Sequence, residues 1–173
     1  MYLPPAQSSP PARIIDLGSG ISAIDRFVAE LNRFKRSPAE IPRVRGRALE
    51  LVQDAAPNDE IGEIRRVWRF VRDAIRYVKD VRGVDTLQSP RMTLELLQGD
   101  CDDKALLLSS MLESIGYATR FAVSATVKHG TYNHVYVETF VPRLGRWMPL
   151  ESSVPGFPFG RAIRSHEPLR RFA

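Results

Sequence analysis

The sequence predicts an α+β fold, and three observations carry that expectation. Apolar residues recur at helical spacing through much of residues 21–115. They alternate with polar ones over residues 118–150, and the change of period falls at Gly116. With 173 residues, 43% of them hydrophobic, the chain is long enough for one domain with a real core. The expected organisation is a flexible arm over residues 1–13, a single domain over 14–154 and a Pro-, Gly- and Arg-rich tail over 155–173. Within the domain, helices are expected over residues 14–116 and a sheet over 117–154.

The arm is rich in Pro and Ser, and deletion of residues 1–12 is expected to leave folding intact. Ile21, Ile24, Phe27, Leu31 and Phe34 place a first amphipathic helix over residues 22–34, broken by Pro38 and Pro42. A second helix over residues 44–55 ends at Ala56-Pro57-Asn58. Asn58 or Asp59 then caps a third, with Ile61, Ile64, Val67, Trp68, Val71, Ile75 and Val78 as one apolar stripe. Arg65, Arg66, Arg69, Arg72 and Arg76 form its wet face. Residues 81–92 lapse into a loop, with a short helical turn expected at 93–97.

Gly99-Asp100-Cys101-Asp102-Asp103-Lys104 opens the helix on which the rest is organised. Asp100 suits the N-cap, Asp102 and Asp103 the first turn, and Gly116 the stop after Ile115. Cys101, the one cysteine of the chain, therefore falls at the helix's positive end. A thiolate is the nucleophilic form of cysteine, and a helix N-terminus favours it. Three neighbouring aspartates oppose it, so a nucleophile here needs an imidazolium beside it. The competing reading is a small buried apolar cysteine.

After Gly116, residues 118–127, 132–141 and 146–150 read as three strands. Lys128-His129-Gly130-Thr131 and Pro142-Arg143-Leu144-Gly145 join them into an antiparallel meander. Tyr132, His134, Tyr136 and Glu138 share one face of the middle strand. A meander brings the end of the third strand beside the start of the second, so Glu151 can reach His134. If the Cys101 helix packs on that same face, the order is thiol, imidazole, carboxylate. The imidazole then takes the thiol proton and returns it to the leaving amine, while the carboxylate holds the ring. Glu138 is the reserve carboxylate, and a surface position is the alternative for Glu151. Gln88, in the loop ahead of Cys101, is a candidate oxyanion donor or a surface glutamine, and Asp102 a candidate substrate contact.

These stretches resemble the transglutaminase-like superfamily, in particular its bacterial and phage cysteine peptidases. The resemblance lies in Gly99-Asp100-Cys101-Asp102-Asp103 with its apolar helix, in Asn133-His134-Val135-Tyr136-Val137 and in Trp147-Met148-Pro149-Leu150-Glu151. Trp68-Arg69-Phe70-Val71-Arg72-Asp73-Ala74-Ile75-Arg76-Tyr77-Val78 is similar to the helix preceding the nucleophile, so the likeness spans residues 44–153. It implies a papain-like core with Cys101 as nucleophile, His134 as base and Glu151 at a position most often occupied by aspartate. It also implies hydrolysis of peptide or isopeptide bonds through a thioester, with transamidation or deamidation as the alternative fates of the acyl group. No cofactor is expected, and the expected partner is a protein or peptide substrate.

Other classes have weaker support. The net charge of +5 looks like a sign of nucleic acid, but 8 Lys and Arg face 5 Asp and Glu in residues 1–50, and 4 face 1 in residues 161–173. The excess thus lies in the ends, which fit solvated faces or arms that dock a protein partner better than a nucleic-acid module. A non-catalytic assembly module remains the reading from a different class. Zinc held by Cys101, His129 and His134 lacks paired ligand spacing, so no metal is expected, and His166 sits in the tail. No apolar run approaches the ~20 residues of a membrane span. The N-terminus lacks a signal-peptide pattern, and a cytoplasmic protein is expected. In the tail, Phe157 and Phe159 are expected to pack over the domain.

Overall fold

The computed structural model describes residues 12–14, 21–35, 41–80, 86–127 and 132–173. The expected first helix is α1 (Ile21–Lys35), and the second is α2 (Ile41–Val52). Pro42 lies in the first turn of α2, where no backbone N–H is needed, so it starts a helix rather than breaking one. In α3 (Glu60–Ala74) the Asp59 carboxylate caps the helix by accepting from the Gly62 N–H at 2.9 Å, and Ile64, Val67, Trp68 and Val71 are buried. The helix stops at Ile75, whose backbone is extended. The stripe expected to run on to Val78 instead passes into β2 (Arg76–Tyr77), because Ile75-Arg76-Tyr77-Val78 is as apt for a strand as for a helix.

Two short pairings lead the chain to the cysteine. A strand β1 (Ala12–Ile14), which takes in the last two residues of the expected flexible arm, pairs antiparallel with β3 (Thr86–Gln88). Next comes α4 (Pro90–Leu96), capped by the Ser89 hydroxyl and ended by Leu97 in the left-handed region. β4 (Gln98–Gly99) then runs parallel to β2. A Cβ at Gly99 would meet the Cβ of Asp103 at 2.6 Å, so glycine is what lets this strand enter the helix behind it.

That helix is α5 (Cys101–Ser114), buried at every position from Asp102 to Leu112. The first three helices and α4 pack around it, and it lies on a four-stranded antiparallel sheet. The sheet comprises β5 (Thr119–Ser124), β6 (His134–Val141), β7 (Arg146–Leu150) and β8 (Arg170–Phe172), in the order β7-β6-β5-β8. The three-stranded meander is as expected. The fourth strand comes from the tail, whose Phe172 pairs with Phe121. Phe121, Val123, Val135, Val137 and Leu150 join the leucines of α5 in the core. The helix therefore lies on the valine face of β6 and not on the face that carries His134 and Glu138. His134 is still accessible to the helix N-terminus because it is the first residue of its strand, at the sheet's end. Among the described residues no helix is long and apolar enough to cross a membrane.

Candidate active site

Cys101 is the first residue of α5 and is half-buried. Asp100 and Asp103 form a reciprocal capping box around it. The Asp102 N–H donates to the Asp100 carboxylate at 3.2 Å and the Asp103 N–H to that of Asp102 at 3.1 Å. The aspartates that flank the thiol are thereby engaged by the helix start.

His134 stands beside Glu151 and Cys101. Its Nε2 lies 2.5 Å from Glu151 Oε2, and Cys101 is near enough to act on the ring. Burial pushes the imidazolium pKa down, but the hydrogen bonds and charges of Cys101 and Glu151 together outweigh it and raise the value to about 10. A ring held between two acidic groups is kept protonated, which is the state an ion-paired thiolate requires.

Glu151 is fully buried, which overturns the surface alternative. Its Oε1 accepts from the N–H groups of Ser153 at 2.6 Å and Val154 at 3.3 Å, leaving Oε2 for the imidazole. Its own carbonyl accepts from the Trp68 indole at 2.6 Å. Both carboxylate oxygens and the carbonyl of this residue are thus engaged, so the extra methylene relative to aspartate does not leave the carboxylate loose.

The remaining candidates lie elsewhere. Glu138 is two register positions along the His134 face and accepts from Arg120 at 2.7 Å and Arg171 at 2.9 Å. It is a buried carboxylate paired with two more exposed arginines and not with the imidazole. The Gln88 backbone and amide nitrogens donate to Asp103 at 2.8 and 2.9 Å, so the side chain is tied to the first turn of α5. Asp102 is buried and serves that same turn. His166 is exposed, and His129 falls outside the described residues.

A profile of the transglutaminase-like superfamily matches residues 47–152. The chain belongs to that superfamily. No curated protein matches the transglutaminase-like chain in sequence. Among solved structures it is similar to a "putative protease" of Parabacteroides distasonis, with a TM-score of 0.58 and 16% identity over 74% of this chain. A "putative cysteine protease" of Cytophaga hutchinsonii gives 0.52 and 13% over 82%. The transglutaminase-like chain spans 26% of the first protein and 49% of the second. At these identities the likeness establishes a cysteine-peptidase-like fold.

Two residues of this transglutaminase-like site were not singled out by the sequence. Trp68 reads as one more member of an apolar stripe, and nothing in spacing reveals that its N–H meets Glu151. Lys104 reads as a charged residue one turn into a helix, yet it is 1% exposed. Its ammonium donates to the carbonyls of Ile75 at 2.6 Å and Arg72 at 3.2 Å, pinning the start of α5 to the end of α3. Burial lowers its pKa to about 8, against the opposing pull of Glu151. The signal was the run Ala105-Leu106-Leu107-Leu108, apolar all round, which requires its neighbours to be buried with it.

One group of metal-ligating side chains occurs among the described residues: the ligand atoms of Asp100, Cys101 and Asp102 lie within 4.8 Å of one another. Both carboxylates already accept from the backbone of the first turn.

Proposed function

We propose that the protein is a thiol-dependent amide-bond hydrolase, acting through Cys101, His134 and Glu151 on a peptide or isopeptide substrate. The observation that carries this reading is His134, with Nε2 2.5 Å from the buried carboxylate of Glu151 and Cys101 near enough to help raise its pKa. His134 takes the thiol proton, and the thiolate sulfur attacks the substrate carbonyl carbon. The tetrahedral adduct collapses to a thioester as the imidazolium protonates the departing amine. Water, deprotonated by the same imidazole, then releases the acid and restores the thiol. Glu151 fixes the ring and balances the imidazolium charge. The first-turn N–H groups of Asp102, Asp103 and Lys104 are bonded to Asp100 and Asp102, which leaves that of Cys101 to meet the oxyanion.

The decisive experiment follows alkylation of Cys101 by iodoacetamide against pH, in the wild type and in His134→Ala. The reading requires rapid reaction well below the ~8.5 of a free thiol, lost in the variant. Ordinary thiol titration in both proteins would overturn it. Amine incorporation into a peptide panel with no hydrolysis would replace hydrolysis by acyl transfer while keeping the same three residues.

A further inference from the structure

The pairing of β2 with β4 brings Tyr77 beside the nucleophile. Tyr77 is the register partner of Gly99, two residues before Cys101. Partners in a parallel ladder send their side chains to the same side of the ribbon. For Gly99 that side is the first turn of α5, since a Cβ there would collide with Asp103. The Tyr77 ring therefore leaves the ribbon towards Cys101, over space that glycine keeps open.

The ribbon holds it in place. Arg76 N–H donates to the Leu97 carbonyl at 2.8 Å, Val78 N–H to that of Gly99 at 3.1 Å, and the Arg76 guanidinium to Gln98 at 2.8 Å. Tyr77 as a residue is 45% exposed, so a substrate can reach it. Among the described residues its hydroxyl makes no hydrogen bond. Burial, and then the negative charge of Cys101, Asp100 and Glu151, raise its pKa, so the phenol keeps its proton and can donate it in a hydrogen bond. Gln88, the oxyanion donor considered from sequence, has its amide nitrogen on Asp103. A second donor is still needed beside the Cys101 N–H.

We propose that Tyr77 is that donor, giving its phenolic O–H to the oxygen of the reacting carbonyl; this rests on the thiol-hydrolase reading above. Acylation by p-nitrophenyl acetate provides the test. The Cys101 sulfur bonds to the carbonyl carbon, and the π pair moves to oxygen, where the Cys101 N–H and Tyr77 O–H receive it. The pair returns as p-nitrophenolate leaves with its bonding electrons, and an acetyl thioester remains. Iodoacetamide, by contrast, is attacked at a saturated carbon and develops no oxyanion. In Tyr77→Phe, p-nitrophenyl acetate acylation should slow about 10- to 100-fold, while the alkylation rate and its pH profile stay at wild-type values.

Equal slowing of both reactions would make Tyr77 a residue that shapes the thiol, and no slowing of either would remove it from the reaction. Both results overturn the proposal, as does a wild-type acylation rate no higher than that of a small thiol of matched pKa. The thiol-hydrolase reading fails separately, through an ordinary alkylation profile in the wild type. The ratio of the two acylation rates remains measurable above the thiol pKa even then.

Discussion

The indole N–H of Trp68, on α3, donates to the backbone carbonyl of Glu151 across 2.6 Å, joining residues 83 positions apart. The bond fixes the chain just past β7, where the next backbone groups, Ser153 and Val154, hold the Glu151 carboxylate. Trp68→Phe keeps the ring's bulk but leaves a buried acceptor unpaired, which costs about 1–3 kcal/mol. Urea unfolding should show that loss. The alkylation profile of Cys101 should also shift towards the free-thiol range, because a displaced Glu151 no longer steadies the imidazole. A stability loss with an unchanged profile would confine Trp68 to packing.

His134 and Lys104 give the fold opposing pH dependences. The His134 pKa is raised from 6.5 to about 10 in the folded state. Its contribution is therefore fully present below pH ~6.5 and is lost as pH rises through about 10. The Lys104 pKa is lowered from 10.5 to about 8. Its contribution is fully present above pH ~10.5 and is lost as pH falls through about 8. Between roughly pH 6.5 and 8 only the first acts strongly, so the unfolding free energy should fall with pH there and flatten above. His134→Gln should remove the fall. Lys104→Met should remove the compensating rise, and it should cost about 1–3 kcal/mol for the carbonyls it leaves unpaired. A wild-type profile that is level from pH 6.5 to 8 would contradict the raised histidine.

How much of this was legible in the sequence depends on how local each interaction is. The N-cap at Asp100, the stop at Gly116 and the three strands of the meander are set by neighbours a few residues apart, and they fall where the spacing puts them. The adjacency of His134 and Glu151 was also legible, because a short hairpin fixes which residues meet. The β2–β4 and β1–β3 ribbons were not. Each strand is 2 or 3 residues long, too short to show a period, and is held by a partner 22 or more residues away. Which face of the sheet α5 covers is not legible, because alternation along β6 does not say which side a helix packs on, and His134 reaches Cys101 only by being the first residue of its strand. The partners of Glu138 could not be foreseen, since one of them, Arg171, comes from the opposite end of the domain.

Asp103 should titrate near neutrality. Burial raises its pKa to about 6, against hydrogen bonds from Gln88 and Asp100 that favour the carboxylate. A raised carboxylate pKa means that its contribution is present below the unfolded value of ~3.8 and is lost as pH climbs through about 6. Carboxyl NMR shifts should place the midpoint near pH 6. Asp103→Asn should abolish that titration and cost roughly 0.5–2 kcal/mol, as the loss of a cap does. A midpoint near 4 would mean that the bonds to Gln88 and Asp100 outweigh burial.

The tail contributes to the fold at two distant points, and truncation separates them from the arm at the other end. Phe159 meets the Trp68 ring edge-on at 5.1 Å, with the Arg65 guanidinium 4.8 Å from its centre. Arg72, stacked on the other partner in this contact, Trp68, donates to the Phe157 carbonyl at 3.0 Å. Farther on, β8 covers the edge of β5. A chain ending at Gly156 loses both attachments, including two half-buried phenylalanines, Phe159 and Phe172, and should be destabilised by about 2–4 kcal/mol. Phe159→Ala should account for part of that loss and should also disturb Cys101 reactivity, because the ring supports the indole that holds Glu151. If the truncated chain melts like the full one, the tail is only laid on the surface. If it melts lower while Phe159→Ala is neutral, the stabilising element is the strand β8 and not the aromatic contact.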